Sequence, residues 1–383
     1  MDQILEDLTI CGFRGFQEIN LSDMGRVNII VGNNNSGKTS ILEAIALFCN
    51  PLDPVRWFEI SKRSFYSGRV FRYRPDLESI KWIFQKQEMP SHEDEYYEKV
   101  LITAKGTTSI KELDVEIENI SGIRVHETQN SQLNIENENN EIGDEEDIKE
   151  IDQEIESQGL ELNIKTKYIE EDSLIREEKE ITEKFQFWED ERFISKRTKK
   201  EFINTNIVSP AYSNSVSIVL SRLILNDQKN KNEILNLIRF FDDQIIDIMI
   251  LSPKYFGNLY IKHKKLGLAP LDIFGDGIKK TIAMALALQS AKDGILLIDE
   301  IETSIHISAL NEVFSWLVQS CLKQNIQLFV TTHSLEAVDA MITSDCPTHN
   351  IVGFQLNNED NSVKRFSGDL LSRLRLDRGL DIR

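Results

Sequence analysis

The chain has 383 residues, with 63 acidic side chains against 44 basic ones and a formal charge of −19. No stretch approaches the roughly 20 apolar residues of a bilayer-spanning helix, and the N-terminus lacks a secretory layout, so a membrane or secreted protein is not expected. The four cysteines (Cys11, Cys49, Cys321, Cys346) form no Cys-x-x-Cys pair; neither a disulfide framework nor a zinc site is indicated, and reduced thiols of a cytoplasmic protein are expected.

The charge also argues against a general nucleic-acid-binding surface, because counterion release needs clustered Lys and Arg. It is unevenly spread. Between Glu127 and Glu156 twelve acids face one base, Lys149. This stretch reads as a solvated, partly disordered insertion or as an acidic interaction arm.

In chain order, the alternation predicts strands over Ile4–Ile10 and Val27–Val31, with a turn around Gly12 to Gly15. A Gly/Asn-rich loop follows, then a helix over Thr39–Phe48 that Pro51 and Pro54 end. Arg56 to Arg74 holds six bases, one acid and interleaved aromatics. That composition suits a β-rich lobe with a basic rim, or single-stranded DNA recognition. Further strands are expected over Lys99–Ala104, Leu113–Glu118, Leu160–Tyr168 and Glu183–Trp188, with a charged link at Ser195–Glu201. The second half predicts a strand over Phe202–Ser209 and amphipathic helices over Ser213–Leu225 and Asn232–Asp247. A Gly-rich loop, Phe274–Gly277, opens a helix over Ile278–Ala291. The apolar runs Gly294–Ile298 and Ile326–Val330, joined by a helix over Ile305–Lys323, imply parallel strands covered by helices.

Gly32-Asn33-Asn34-Asn35-Ser36-Gly37-Lys38-Thr39 fits G-x-x-x-x-G-K-[ST] at every fixed position. Glycines let backbone N–H groups close around phosphate oxygens, and the loop opens onto a helix N-terminus that favours an anion. Lys38 suits the β- and γ-phosphates, and Thr39 offers a hydroxyl to Mg²⁺, with Ser40 following. Ile295–Ile298 ends in two adjacent carboxylates, Asp299 and Glu300. Asp299 suits metal coordination and Glu300 polarisation of an attacking water, or the pair merely caps the next helix. Ile326–Val330 runs into Thr331-Thr332-His333-Ser334, where a neutral His333 would contact the γ-phosphate or the water.

These pieces in this order resemble ABC-type ATP-binding heads of the SMC and RecF class, and most of all the bacterial AAA-family ATP/GTPases related to the OLD (overcoming lysogenisation defect) proteins. The resemblance is carried by Leu8–Phe16 with its Phe-Arg-x-Phe motif, by Val27–Ile45, by Leu297–His306 and by Thr331–Ala337. It implies an α/β P-loop fold with a mixed or parallel central sheet, flanking helices, a β-rich N-terminal lobe and an inserted middle segment. The split head would take 1–50 and 203–358, the insertion 51–202 (with 127–160 acidic and disordered), and a C-terminal tail 359–383. The resemblance also implies that Arg14 approaches the phosphates and that two heads sandwich ATP as a homodimer. The signature loop of one subunit would then complete the other's site. Its counterpart is Phe274–Lys280, where Gly275 takes the usual serine position and Gly277 follows. ATP and Mg²⁺ are the implied cofactors. A defence ATPase against phage or mobile elements, serving a separate effector, is the expected role. The alternatives are a RecF- or SMC-like DNA clamp using Arg56–Arg74, and a nucleotide sensor that hydrolyses little.

Overall fold

A computed structural model describes residues 3–63, 75–85, 99–126, 153–172, 175–190, 201–210, 227–251, 258–357 and 362–383. The chain opens with β1 (Asp7–Phe13), β2 (Phe16–Leu21) and β3 (Val27–Gly32), followed by α1 (Lys38–Cys49), α2 (Pro54–Lys62) and α3 (Leu77–Lys81). Four antiparallel strands come next: β4 (Lys99–Lys105), β5 (Ile110–His126), β6 (Gln153–Asp172) and β7 (Ile175–Trp188). Then follow β8 (Thr205–Val208), α4 (Gln228–Ile238), β9 (Ile245–Leu251), β10 (Asn258–His263), β11 (Gly267–Pro270) and α5 (Asp276–Ser290). The last stretch holds β12 (Ile295–Ile298), α6 (Ile307–Lys323), β13 (Gln327–Thr332), α7 (Leu335–Ile342), β14 (Ile351–Leu356), β15 (Val363–Ser367) and α8 (Gly368–Ser372).

The strands form three sheets: β2-β1-β4-β5-β6-β7, the small β11-β10-β9, and a central β15-β14-β3-β13-β12-β8. In the central sheet β14, β3, β13, β12 and β8 are parallel, and β15 adds antiparallel to β14. This is the expected α/β architecture with a mixed central sheet. Its apolar residues alternate between two cores. Leu297, Phe329 and Ile30 face α1 and the first sheet, whereas Leu296, Ile298, Leu328 and Val330 face α5, α6 and α7. Burial on both faces explains why Ile295–Ile298 and Leu328–Val330 are unbroken apolar runs. α1 lies between two sheets and is buried at every residue except Thr39, which is half-buried.

Two buried amides join the layers. Gln327, fully buried, accepts from the Leu5 N–H and donates to the carbonyls of Leu5 (2.8 Å) and Gly25 (2.9 Å). Asn28 donates to the Gly25 and Leu328 carbonyls and accepts from the Gly25 N–H.

Several expectations are corrected. The opening strand is shifted to Asp7–Phe13 and pairs through a two-residue Arg14-Gly15 turn with β2, which the alternation had not suggested. Residues 54–62 are helical rather than part of a β-rich lobe: Asp53 caps the helix by accepting from the Val55 N–H, and Pro54 sits at its start. Trp57 and Phe58 turn inward, and Trp57 Nε1 donates to the Pro51 carbonyl; residues 64–74 lie outside the described residues. The helix expected over Asn232–Asp247 stops at Ile238, and Ile245–Leu251 is a strand because its β-branched isoleucines pair with β10. Of the acidic stretch, Gln153–Glu156 continues the β5–β6 ladder, and 127–152 lies outside the described residues, as do the Ser213–Leu225 helix and most of the Ser195–Glu201 link. Residues 362–383 are built into the fold, with Ile382 in the core and Arg375 holding Asp339 through two 2.8 Å contacts.

Candidate functional site

Register brings the motifs together. Ile298 pairs with Val330 and Val208, Thr332 with Val31, and Gly32 with Leu356, so the C-terminal ends of the parallel strands share one edge. The loop Gly32–Lys38 leaves that edge with Asn33, Asn34 and Asn35 exposed and Ser36 and Lys38 buried. Gly37 precedes α1 in the left-handed region (φ 85), and a β-carbon there would run into the Phe16 ring. The second phenylalanine of the Phe-Arg-x-Phe motif thus backs the loop. No side chain caps α1, so its first amides face the loop's concavity, as an anion requires.

Lys38 Nζ donates to the Gly32 (2.9 Å) and Asn33 (2.7 Å) carbonyls. Burial pushes its pKa down to about 8, against the opposing pull of Asp299, Glu300 and Glu302. A half-dry ammonium inside a loop of backbone groups suits an added anion.

Asp299 is buried and accepts three hydroxyls: Thr331 Oγ1 at 2.6 Å, Ser209 Oγ at 3.0 Å and Thr39 Oγ1 at 3.1 Å from both carboxylate oxygens. Thr39 and Asp299, 260 positions apart, present hard oxygens to one point. That donor set fits Mg²⁺, which takes one or two protein oxygens and completes its shell with water and phosphate. Ser209 and Thr331 were missed as site residues; each is a hydroxyl one residue past or at the end of an apolar strand, a signal too common to single them out.

Glu300 has a left-handed backbone (φ 44), and its N–H donates to Thr331 Oγ1 at 2.8 Å. Its carboxylate accepts from Thr303 Oγ1 at 3.1 Å. Glu302, also missed, accepts from the His333 N–H and from Thr332 Oγ1, both at 2.7 Å. It fixes the loop on which the half-buried His333 sits. The Arg383 guanidinium donates to the His333 carbonyl at 3.1 Å.

Arg14 is tied elsewhere. Its Nε lies 2.6 Å from the fully buried Glu43 of α1, and its Nη2 donates to the Ile60 carbonyl. Gly275 is extended and exposed at the start of α5, and a β-carbon there would meet nothing within 4 Å. Nothing among the described residues demands glycine at that position. Gly277 differs: a β-carbon would lie 2.7 Å from the Ser304 carbonyl and 3.0 Å from the Phe241 ring.

The sequence profile of the family described as "AAA domain, putative AbiEii toxin, Type IV TA system" matches residues 27–339. The chain belongs to this AAA-domain family. Along nearly its whole length (94% of each chain) it is similar, at 21% identity, to the ATP/GTP phosphatase of Helicobacter pylori. It is also 40% identical over 68 residues to an uncharacterised protein of Methanocaldococcus jannaschii, a match spanning 18% of this chain and 60% of that one. Among solved structures it is similar to an SMC head bound to the C-terminal winged-helix domain of ScpA, at 13% identity and a TM-score of 0.45, covering 95% of this chain and 98% of that one. No described helix is long and apolar enough to cross a membrane.

Proposed function

We propose that this AAA-family protein is a Mg²⁺-dependent ATPase. The observation that carries the reading is the convergence of Thr39, at the start of α1, with Asp299, at the end of β12, beside the buried Lys38 ammonium. Gly32–Ser40 would hold the phosphates through backbone N–H groups and Lys38, and Thr39 and Asp299 would hold the metal. The metal, when bound, supplies charge neutralisation on the phosphate oxygens. Glu300, raised from the strand end by its left-handed backbone, orients water in line with the γ-phosphate. His333 lines the same edge, on the loop that Glu302 fixes. Arg14 reaches the phosphates only by exchanging Glu43 for them.

Completion of the site is proposed to come from a second copy, whose loop of exposed Gly275 and half-buried Gly277 would present backbone N–H groups to the γ-phosphate in a head-to-head dimer. The family's description names a toxin–antitoxin system. It supports a role in defence against phage or mobile elements, in which nucleotide state governs a separate effector.

Phosphate release from Mg-ATP tests the chemistry. Lys38→Ala is expected to lower turnover at least 100-fold with weakened nucleotide binding. Glu300→Gln is expected to lower it similarly while nucleotide stays bound and dimers accumulate in sizing columns. Full-rate hydrolysis by Glu300→Gln would falsify the assignment of that carboxylate. The DNA-clamp reading gains nothing from the described part of Arg56–Arg74. Arg56 pairs with Glu59, Arg63 with Glu43, and Lys62 lies over the Phe58 ring.

A further inference from the structure

The first turn of α5 meets the turn after β12 at two points. Gly277 packs against the Ser304 carbonyl, and Lys280 Nζ donates to the Glu300 carbonyl. Lys280 is only 5% exposed. On its own face of the helix the following turns carry Met284 and Ala287, both buried and apolar. An apolar side chain at 280 would continue that face without the desolvation penalty of an ammonium. The charge therefore calls for a reason, and its contact supplies one. It seats on the peptide oxygen of a residue held in the left-handed region, where a non-glycine backbone is strained and persists only when its surroundings fix it. The Thr331 hydroxyl fixes the N–H side of Glu300; Lys280 fixes the carbonyl side.

We propose that Lys280 is a positioning residue for Glu300. It locks the Glu300 peptide to the first turn of α5, so the aim of the carboxylate follows the position of the Phe274–Gly277 loop that opens the same helix. A second copy pressing on that loop would thereby be felt at Glu300 within one chain. The inference rests on the reading of Glu300 as the group that orients water.

The test compares the full chain with Lys280→Met, Lys280→Arg, Glu300→Gln and the Lys280→Met/Glu300→Gln double variant. It reads the dissociation constant of a fluorescent ATP analogue, steady-state turnover of Mg-ATP and the melting temperature. Lys280→Met is expected to lower turnover at least tenfold with the dissociation constant within threefold of the parent. Lys280→Arg should restore turnover to within threefold, because it returns a donor to the same carbonyl. In the Glu300→Gln background, Lys280→Met should add less than a twofold loss, since a group that acts only through Glu300 has nothing left to position. Turnover by Lys280→Met within twofold of the parent, multiplying losses in the double variant, or a drop in nucleotide affinity that accounts for the lost rate would each overturn the inference. Should Lys280→Met not fold, Lys280→Gln carries the same comparisons. Loss in Glu300→Gln with full rate in Lys280→Met defeats only this inference. Full rate in Glu300→Gln, or no turnover by the parent, defeats the underlying reading as well.

Discussion

Lys280 carries a cation into nearly dry surroundings, and the consequence is measurable as a pH dependence of stability. Burial pushes the Lys280 pKa down to about 8 from its ordinary 10.5, with Glu302, Glu300 and Asp299 pulling the other way. Between those two values the unfolded chain holds the proton and the folded chain does not. Stability from this group therefore rises with pH across that window, and the penalty is fully present below about pH 8. Lys280→Met removes the group, so its urea-unfolding stability relative to the parent should be highest at pH 7 and fall steadily toward pH 10. A relative stability that stays flat or climbs over that range would show that Lys280 keeps an ordinary pKa in the fold.

Among the elements, α1 is where the phosphate loop is anchored, and Glu43 is its fixed point. Its carboxylate is fully buried, 2.6 Å from Arg14 and 3.0 Å from Arg63, so the β1–β2 turn and the end of α2 are pinned to one helix. Deleting one partner of a buried pair leaves a charge stranded, at a cost of about 3–5 kcal/mol. Glu43→Ala is expected to lose that much in urea unfolding. Arg63→Ala, whose side chain is 47% exposed, should lose under about 1 kcal/mol. Equal losses would mean the hub is not centred on Glu43.

The same helix shows what was legible in the sequence. Phosphate chemistry dictates Gly37, Lys38 and Thr39 at fixed spacing, and burial on both faces dictates the apolar runs Ile295–Ile298 and Leu328–Val330, so both could be read locally. The roles of Phe16 behind Gly37, Ser209 beside Asp299 and Glu302 under His333 could not. Each depends on a partner brought near by the sheet, and each residue type is ordinary in isolation. For the same reason Trp57 and Phe58 stood open to two readings, the core of a β-rich lobe or a single-strand binding surface, until their helix placed them in the core.

At the scale of the molecule, the outer face of the first sheet is laced with cross-strand ion pairs, among them Lys99–Asp114 (2.8 Å), Lys167–Glu112 (2.8 Å) and Lys184–Glu161 (2.6 Å). Much of the acidity there is thus interleaved with base, as expected of a solvated β face. The union of that sheet with the central one depends on Gln327. Gln327→Leu keeps the volume but leaves the Leu5 N–H and the Leu5 carbonyl without their partner, while the Gly25 carbonyl keeps the Asn28 amide. It should destabilise the whole chain by roughly 2–6 kcal/mol, at about 1–3 kcal/mol for each of the two buried groups orphaned. Hydrogen exchange at the Leu5 amide should quicken with it. An unchanged unfolding midpoint would show that water or a shifted side chain takes over those bonds.

The position of β3 between β13 and β14 has a consequence for biosynthesis. The phosphate loop is made long before the strands that flank β3 on either side, and the Leu5–Gln327 bond closes across 322 positions. Until then α1, apolar almost all round, has only half its cover. The nascent chain must carry that surface until those strands emerge, which makes it a natural client for holding chaperones and prone to stick if synthesis stalls between them. Nucleotide capture then waits on the distant strands: the ligand site is complete only once Asp299 has reached Thr39.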